Sequence, residues 1–203
     1  MPRTSEQLAQ VRNQTRNKII EAAIKLFSQK GFHGTSMSEI AKHAGVAKGL
    51  SYNYFKSKLD LLNAIFEMMM ERGLQIIKDI KKIEDPYEQI VILINKSFSY
   101  ALAYEEFWRL YMRMAFQPEV LPTTENITEK FSDFILKQIE KIFRKIGFKN
   151  PAAEAQIFSA SLDGLLLYYL VNPKNFPLNK VKNLLLQRYS KNGISAYIAS
   201  LDN

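Results

Sequence analysis

The sequence contains no cysteine, which excludes disulfides, thiolate metal sites and cysteine nucleophiles. It has only two histidines, His33 and His43, and neither has a paired carboxylate near it in sequence. Glycine-rich phosphate loops and metal-ligand spacings are missing as well. An enzyme is therefore not expected, and neither is a catalytic residue, a cofactor or a metal site. No apolar run approaches the ~20 residues that a membrane-spanning helix needs. The longest nearly uncharged stretch, residues 157–171, still carries Asp163. Residues 1–16 are polar and lack the apolar segment of a signal peptide, so a soluble, cytoplasmic protein is expected. Strand signals are few, and internal repeats, low-complexity tracts and coiled-coil heptads are absent.

What remains is a globular composition, 47% hydrophobic and 24% charged over 203 residues. That length suits a small module joined to a larger domain, or one domain of ordinary size. The net charge of +8 is unevenly spread. Residues 1–60 hold ten Lys and Arg against four acids, a net of +6, which leaves +2 for the other 143 residues. A basic first third suits a polyanionic partner, although a solvated basic face would look the same.

Apolar residues recur at helical spacing almost throughout, which predicts an all-α chain of about nine helices, three short and then six longer. The first clear helix presents Ile19, Ile20, Ala23, Ile24 and Phe27 on one face and ends at Gly31. Ser36 and Glu39 form a capping box that opens the second. Gly45-Val46-Ala47 then makes a tight turn into a third helix over about 48–55. A fourth runs from near Ser57 to about Ile80. Asp85-Pro86 and Asn150-Pro151 mark later helix starts, and Gln117-Pro118 and Leu121-Pro122 bracket a loop. The last helix is expected over 178–201, with Gly193 as a candidate break.

Short helix, glycine-containing turn and short helix is the helix-turn-helix arrangement, whose second helix enters the major groove of DNA. The segment Lys48-Gly49-Leu50-Ser51-Tyr52-Asn53-Tyr54-Phe55 is rich in donors. Lys48 can meet a phosphate or guanine, and Asn53 can pair with adenine. Gly49 permits close approach, while Ser51, Tyr52 and Tyr54 can donate to phosphates. A plain helical pair with structural tyrosines is the competing reading.

Residues 19–62 resemble the DNA-binding domain of the TetR family of repressors. The matching pieces are Ile20-Glu21-Ala22-Ala23, Leu26-Phe27, Lys30-Gly31-Phe32, the run from Thr35 to Ala41, Ala44-Gly45-Val46-Ala47-Lys48-Gly49 and the run from Tyr52 to Leu61. The resemblance implies a homodimer on a palindromic operator of double-stranded DNA. It implies phosphate contacts from Thr35, Ser36, Tyr52, Tyr54 and Lys58, and groove contacts from Ala47, Lys48, Gly49 and Asn53. Where Ala47 stands the family often has Ser or Thr, so one side-chain contact or cap is missing. Leu50-Ser51 and Asn53 depart from the family's usual residues too, which leaves base preference open.

The division expected is a DNA-binding domain over 1–60 and an effector-binding and dimerisation domain over 61–203. Phe98, Tyr104, Phe107, Trp108, Tyr111 and Met112 suit an apolar pocket for a small-molecule effector, or a packed core. Glu105, Arg109 and Arg113 lie a turn apart, as pocket groups or as a solvated ion-pair ladder. By the resemblance the last two long helices form the dimer interface, with Leu165, Tyr168, Tyr169, Leu185 and Tyr189 as its candidates. The same apolar face could instead be buried within one chain. The function expected is that of a ligand-responsive repressor released from its operator by a small effector. An activator, a ligand-independent regulator and a helical protein–protein adaptor are the alternatives.

Overall fold

A computed structural model describes residues 4–115 and 121–200, and among these it contains ten α-helices and no strand. They are α1 (Ser5–Lys30), α2 (Met37–His43), α3 (Lys48–Tyr54), α4 (Lys58–Ile80), α5 (Pro86–Ala103), α6 (Glu105–Ala115), α7 (Leu121–Ile146), α8 (Pro151–Val171), α9 (Leu178–Arg188) and α10 (Lys191–Ser200). The chain forms two compact units, Met1–Met69 with Glu106–Glu125 and Met70–Glu105 with Asn126–Asn203. None of the described helices is long and apolar enough to cross a membrane.

The helix starts follow from their caps. Ser36 and Glu39 make the reciprocal box predicted for α2. Asp85 accepts a hydrogen bond from Tyr87 N–H ahead of Pro86, and Asn150 accepts one from Ala153 N–H ahead of Pro151. Helix α1 begins well before the apolar face that announced it. Thr4 and Gln7 form a second capping box, and the polar residues behind it are good helix formers.

In the first unit Ile19, Ile20, Phe27, Ile40, Leu61, Leu62 and Ile65 are fully buried. Each contributes roughly 1.5–3 kcal/mol of apolar burial. In the second, Phe143 lies 5.0 Å from Phe148, 5.6 Å from Phe158 and 5.9 Å from Tyr189, ring centre to ring centre, and ties α7, α8 and the end of α9 together.

Two expectations need correction. The last helix is two helices, and the described residues form ten helices rather than nine. The break falls at Tyr189-Ser190, where the Ser190 hydroxyl accepts from Gly193 N–H at 3.1 Å. Gly193 makes the corner possible, because a Cβ there would lie 2.5 Å from the Arg188 carbonyl oxygen and closer still to that of Gln187. Leu121 and Pro122 belong to the first turn of α7, where proline is tolerated, rather than to a loop. The other proposed loop markers, Gln117 and Pro118, lie outside the described residues, as does Phe116.

Candidate nucleic-acid interface

The turn between α2 and α3 is closed by Val46 N–H donating to Ala41 O at 2.9 Å and Ala44 N–H donating to Ile40 O at 2.8 Å. Gly45 sits between them at φ 69°, a conformation that would cost another residue about 1 kcal/mol or more. Ala47 precedes α3 as its N-cap and supplies no side-chain bond, as its methyl group dictates.

Helix α3 has an inner and an outer side. Ser51 has no exposed surface and its hydroxyl donates to Lys48 O at 2.7 Å; Phe55, just past the helix, is buried too. Ser51 therefore anchors the helix and leaves the set of side chains able to reach a duplex. Ala47, Lys48, Gly49, Leu50, Tyr52 and Asn53 are exposed, and Tyr54 is half-buried. Apart from the adjoining residues and the backbone of α3 itself, no described atom lies within 4 Å of where a Gly49 Cβ would stand, so that surface is open. Leu50 was not singled out from sequence, yet counting helical phase from Ser51 and Phe55 places it outward. An exposed leucine there suits the methyl group of thymine.

Beside α3 lies an open notch of about 530 Å³ bordered by His33, Ser36, Tyr52, Lys56, Ser57 and Lys58. Two residues assigned phosphate contacts are turned into its wall. Thr35 is 2% exposed and its hydroxyl donates to Gly31 O at 2.9 Å. Lys58 Nζ donates to Phe32 O at 2.6 Å and to Thr35 O at 2.8 Å, and stands 4.4 Å from the centre of the Phe32 ring. Burial pushes the Lys58 ammonium down from its ordinary pKa, against an upward pull from Glu39. Lys58 thus pins the loop that carries Thr35 and Ser36 as well as adding charge. Lys56 and Ser57 are exposed at the start of α4, where Asp60 accepts from Lys56 N–H at 2.8 Å. Glu39 is held at about 2 by its hydrogen bonds, first with Lys30 and then with Ser36. The notch therefore joins several cationic and donor groups to one carboxylate held ionised at neutral pH.

The candidate effector residues divide between the two units. Phe107, Trp108, Tyr111 and Met112 belong to the first, where Phe107 packs 5.6 Å from Phe66 and Trp108 5.7 Å from Tyr111. Phe98 and Tyr104 belong to the second. Phe98 is buried, and Tyr104 lies 4.8 Å from Tyr100 and 4.6 Å beneath the Arg72 guanidinium. The candidate dimer residues also part. Leu185 and Tyr189 are buried within the chain, Tyr189 against Phe143 and Phe158. Leu165 and Tyr169 are half-buried, and Tyr168 is 68% exposed. Leu165 and Tyr168 line an open groove of about 710 Å³ between α8 and α9, together with Gly164, Val181 and the exposed Leu184.

The sequence model of the family described as bacterial regulatory proteins, tetR family, matches residues 19–65. The chain is 29% identical over 178 residues to the fatty acid metabolism regulator protein of Bacillus subtilis (strain 168), covering 84% of this chain and 91% of that one. It is 30% identical over 135 residues to the HTH-type transcriptional regulator UidR of Escherichia coli (strain K12), covering 64% and 67%. Its fold is similar to the crystal structure of the transcriptional regulator FadR from Bacillus subtilis in complex with stearoyl-CoA, with a TM-score of 0.71, 24% identity and coverage of 87% and 98%.

Proposed function

Because this chain belongs to the TetR family of bacterial regulatory proteins, we propose that it is a ligand-responsive repressor that binds a palindromic operator as a homodimer. The observation that carries the reading is the exposed row Lys48, Gly49, Tyr52 and Asn53 on α3, set beside the cationic notch. In this reading Lys48 and Asn53 meet base edges, and Leu50 meets a thymine methyl group. Tyr52, Tyr54, Ser36 and Lys56 hold phosphates, and Lys58 positions the loop beneath them. Residues 1–60 carry the DNA contacts, and residues 61–203 the effector and dimer surfaces. The groove between α8 and α9 receives a second copy, which sets the two recognition helices about one duplex turn apart, roughly 34–36 Å.

For the effector we assign a long-chain fatty acyl thioester, such as the stearoyl-CoA bound in the FadR structure, in keeping with a relative named as a fatty acid metabolism regulator. An anionic ligand suits the second unit. There Lys81, Lys141 and Lys145 border a cleft of about 140 Å³ floored by Ile77, Ile80 and Ile142. Such an effector releases DNA only by binding the free conformation more tightly than the operator-bound one.

The experiment is selection of bound sequences from a random duplex pool, then a salt titration on the winner with and without stearoyl-CoA. The reading expects a palindromic winner, a steep salt dependence and release by micromolar stearoyl-CoA. Binding that appears only when the thioester is added would make the chain an effector-dependent binder and overturn the repressor assignment.

A further inference from the structure

Helix α1 carries its DNA-binding unit's core face beyond the core. At 100° per residue Phe27, Ala23, Ile20, Arg16, Arg12, Ala9 and Ser5 lie on one stripe. The first three have no exposed surface, and α2 packs against α1. At Arg16 the stripe leaves the core beside the end of α3, with the guanidinium 5.4 Å from the centre of the Phe55 ring. Beyond that point residues 4–14 are all exposed, and the stripe continues with nothing over it.

That overhang is chemically distinctive. Arg12 and Arg16 are its cations, Asn13 and Asn17 flank them as donors, and the only acid among residues 4–18 is Glu6, to one side. Ser5 and Ala9 are small enough for close approach. Arg12 stands about 6 Å beyond Arg16 along the axis, and Ser5 about 16 Å beyond it. A surface that is cationic, amide-lined and continuous with the exposed side of α3 matches the phosphate wall of a duplex. Of its two large exposed apolar residues, Val11 points away from the stripe and Leu8 stands at its edge, one turn from Arg12.

We propose that the N-terminal half of α1 is a second DNA-contacting element. It lies against the phosphates that flank each half-site, with Arg12 as the contact and Arg16 as the pin that holds the overhang to the recognition helix. A cation–π contact with Phe55 uses no N–H donor of Arg16 in a hydrogen bond and leaves those donors for a phosphate. This rests on the operator-binding reading above, and its consequence is a footprint longer than α3 alone can protect.

The test compares the unmodified full chain with Arg12→Gln on two duplexes, the selected operator with long flanks and the same operator trimmed to its half-sites. Arg12 supports no part of the fold, so this variant should keep its melting temperature. We expect Arg12→Gln to bind the long duplex more weakly, with a salt slope shallower by about 0.9 for each protomer. Trimming should weaken the unmodified chain and leave the variant nearly unchanged. An unaltered slope and equal sensitivity to trimming would overturn this inference alone. No duplex binding by the unmodified chain would overturn the operator reading together with it.

Discussion

Glu39 joins stability to the recognition surface through one carboxylate. It caps α2, pairs with Lys30 at 2.9 Å and borders the notch beside α3. Its folded pKa of about 2 lies below the ordinary 4.5, so the folded state favours the ionised form. The stabilisation this gives is complete above 4.5 and is lost as pH falls toward 2. Glu39→Gln should therefore melt at a temperature that depends less on pH across that window, as thermal unfolding followed by circular dichroism would reveal. Tyr52 is the complementary case, since it is 44% exposed and Tyr52→Phe keeps the ring that fills its place. Removing its hydroxyl in Tyr52→Phe should leave the melting temperature in place. It should weaken operator binding by roughly 2- to 10-fold, the value of one hydrogen bond, with the salt slope unchanged, since a neutral hydroxyl displaces no counterion. Fluorescence anisotropy over a range of salt concentrations reads both.

At the scale of elements, the α9–α10 corner depends on a missing side chain. Gly193→Ala would force a methyl group against the carbonyls of Gln187 and Arg188, which are backbone and cannot swing away. The expected cost is about 1–3 kcal/mol, as for other overpacked sites, measurable as a lower denaturant midpoint. Gly193 stood out in the sequence as a possible break, but the corner itself lies at Tyr189-Ser190 and depends on where the helices pack. Much of the rest was legible. The capping box at Ser36, the turn at Gly45 and the apolar face of α1 from Ile19 onward are local signals, and each stands where local chemistry put it. The first half of α1 was not legible, because an exposed helix has no apolar period and only the Thr4–Gln7 box announces it. Inward Ser51 and the tethered Lys58 were equally hidden. Residue type said they could donate to DNA, and only the surrounding fold decides that they donate to Lys48, Phe32 and Thr35.

The molecule as a whole carries an exposed apolar face on α8 and α9, with Ile157, Tyr168, Val171 and Leu184 each more than half exposed. A face of this kind is expected to be covered by a partner. Leu184→Glu should leave helicity and melting of the single chain near normal, since Leu184 packs against little within it. Sedimentation velocity should then report a monomer for the variant and a dimer for the unmodified chain if the groove is the proposed interface, and operator affinity should fall steeply because half-sites are no longer bridged. Lasting dimerisation in the variant would count against the groove as the interface.

Helix α1 is also a lever. It is unbroken for 26 residues, about 39 Å at the usual rise. Its thick end is gripped by α6, where the Ser28 hydroxyl meets the Glu106 carboxylate and Arg113 donates to Gln29 O at 3.1 Å. A rod of that length tilted by about 5° at one end sweeps its tip through roughly 3 Å, close to the rise of one base pair. A tilt passed to α1 through that grip would thus move Arg12 further than it moves the buried residues around Ile20. Cutting the grip with Glu106→Gln and Arg113→Gln should leave DNA affinity close to normal and blunt its response to the effector, which a titration of operator release against ligand would measure.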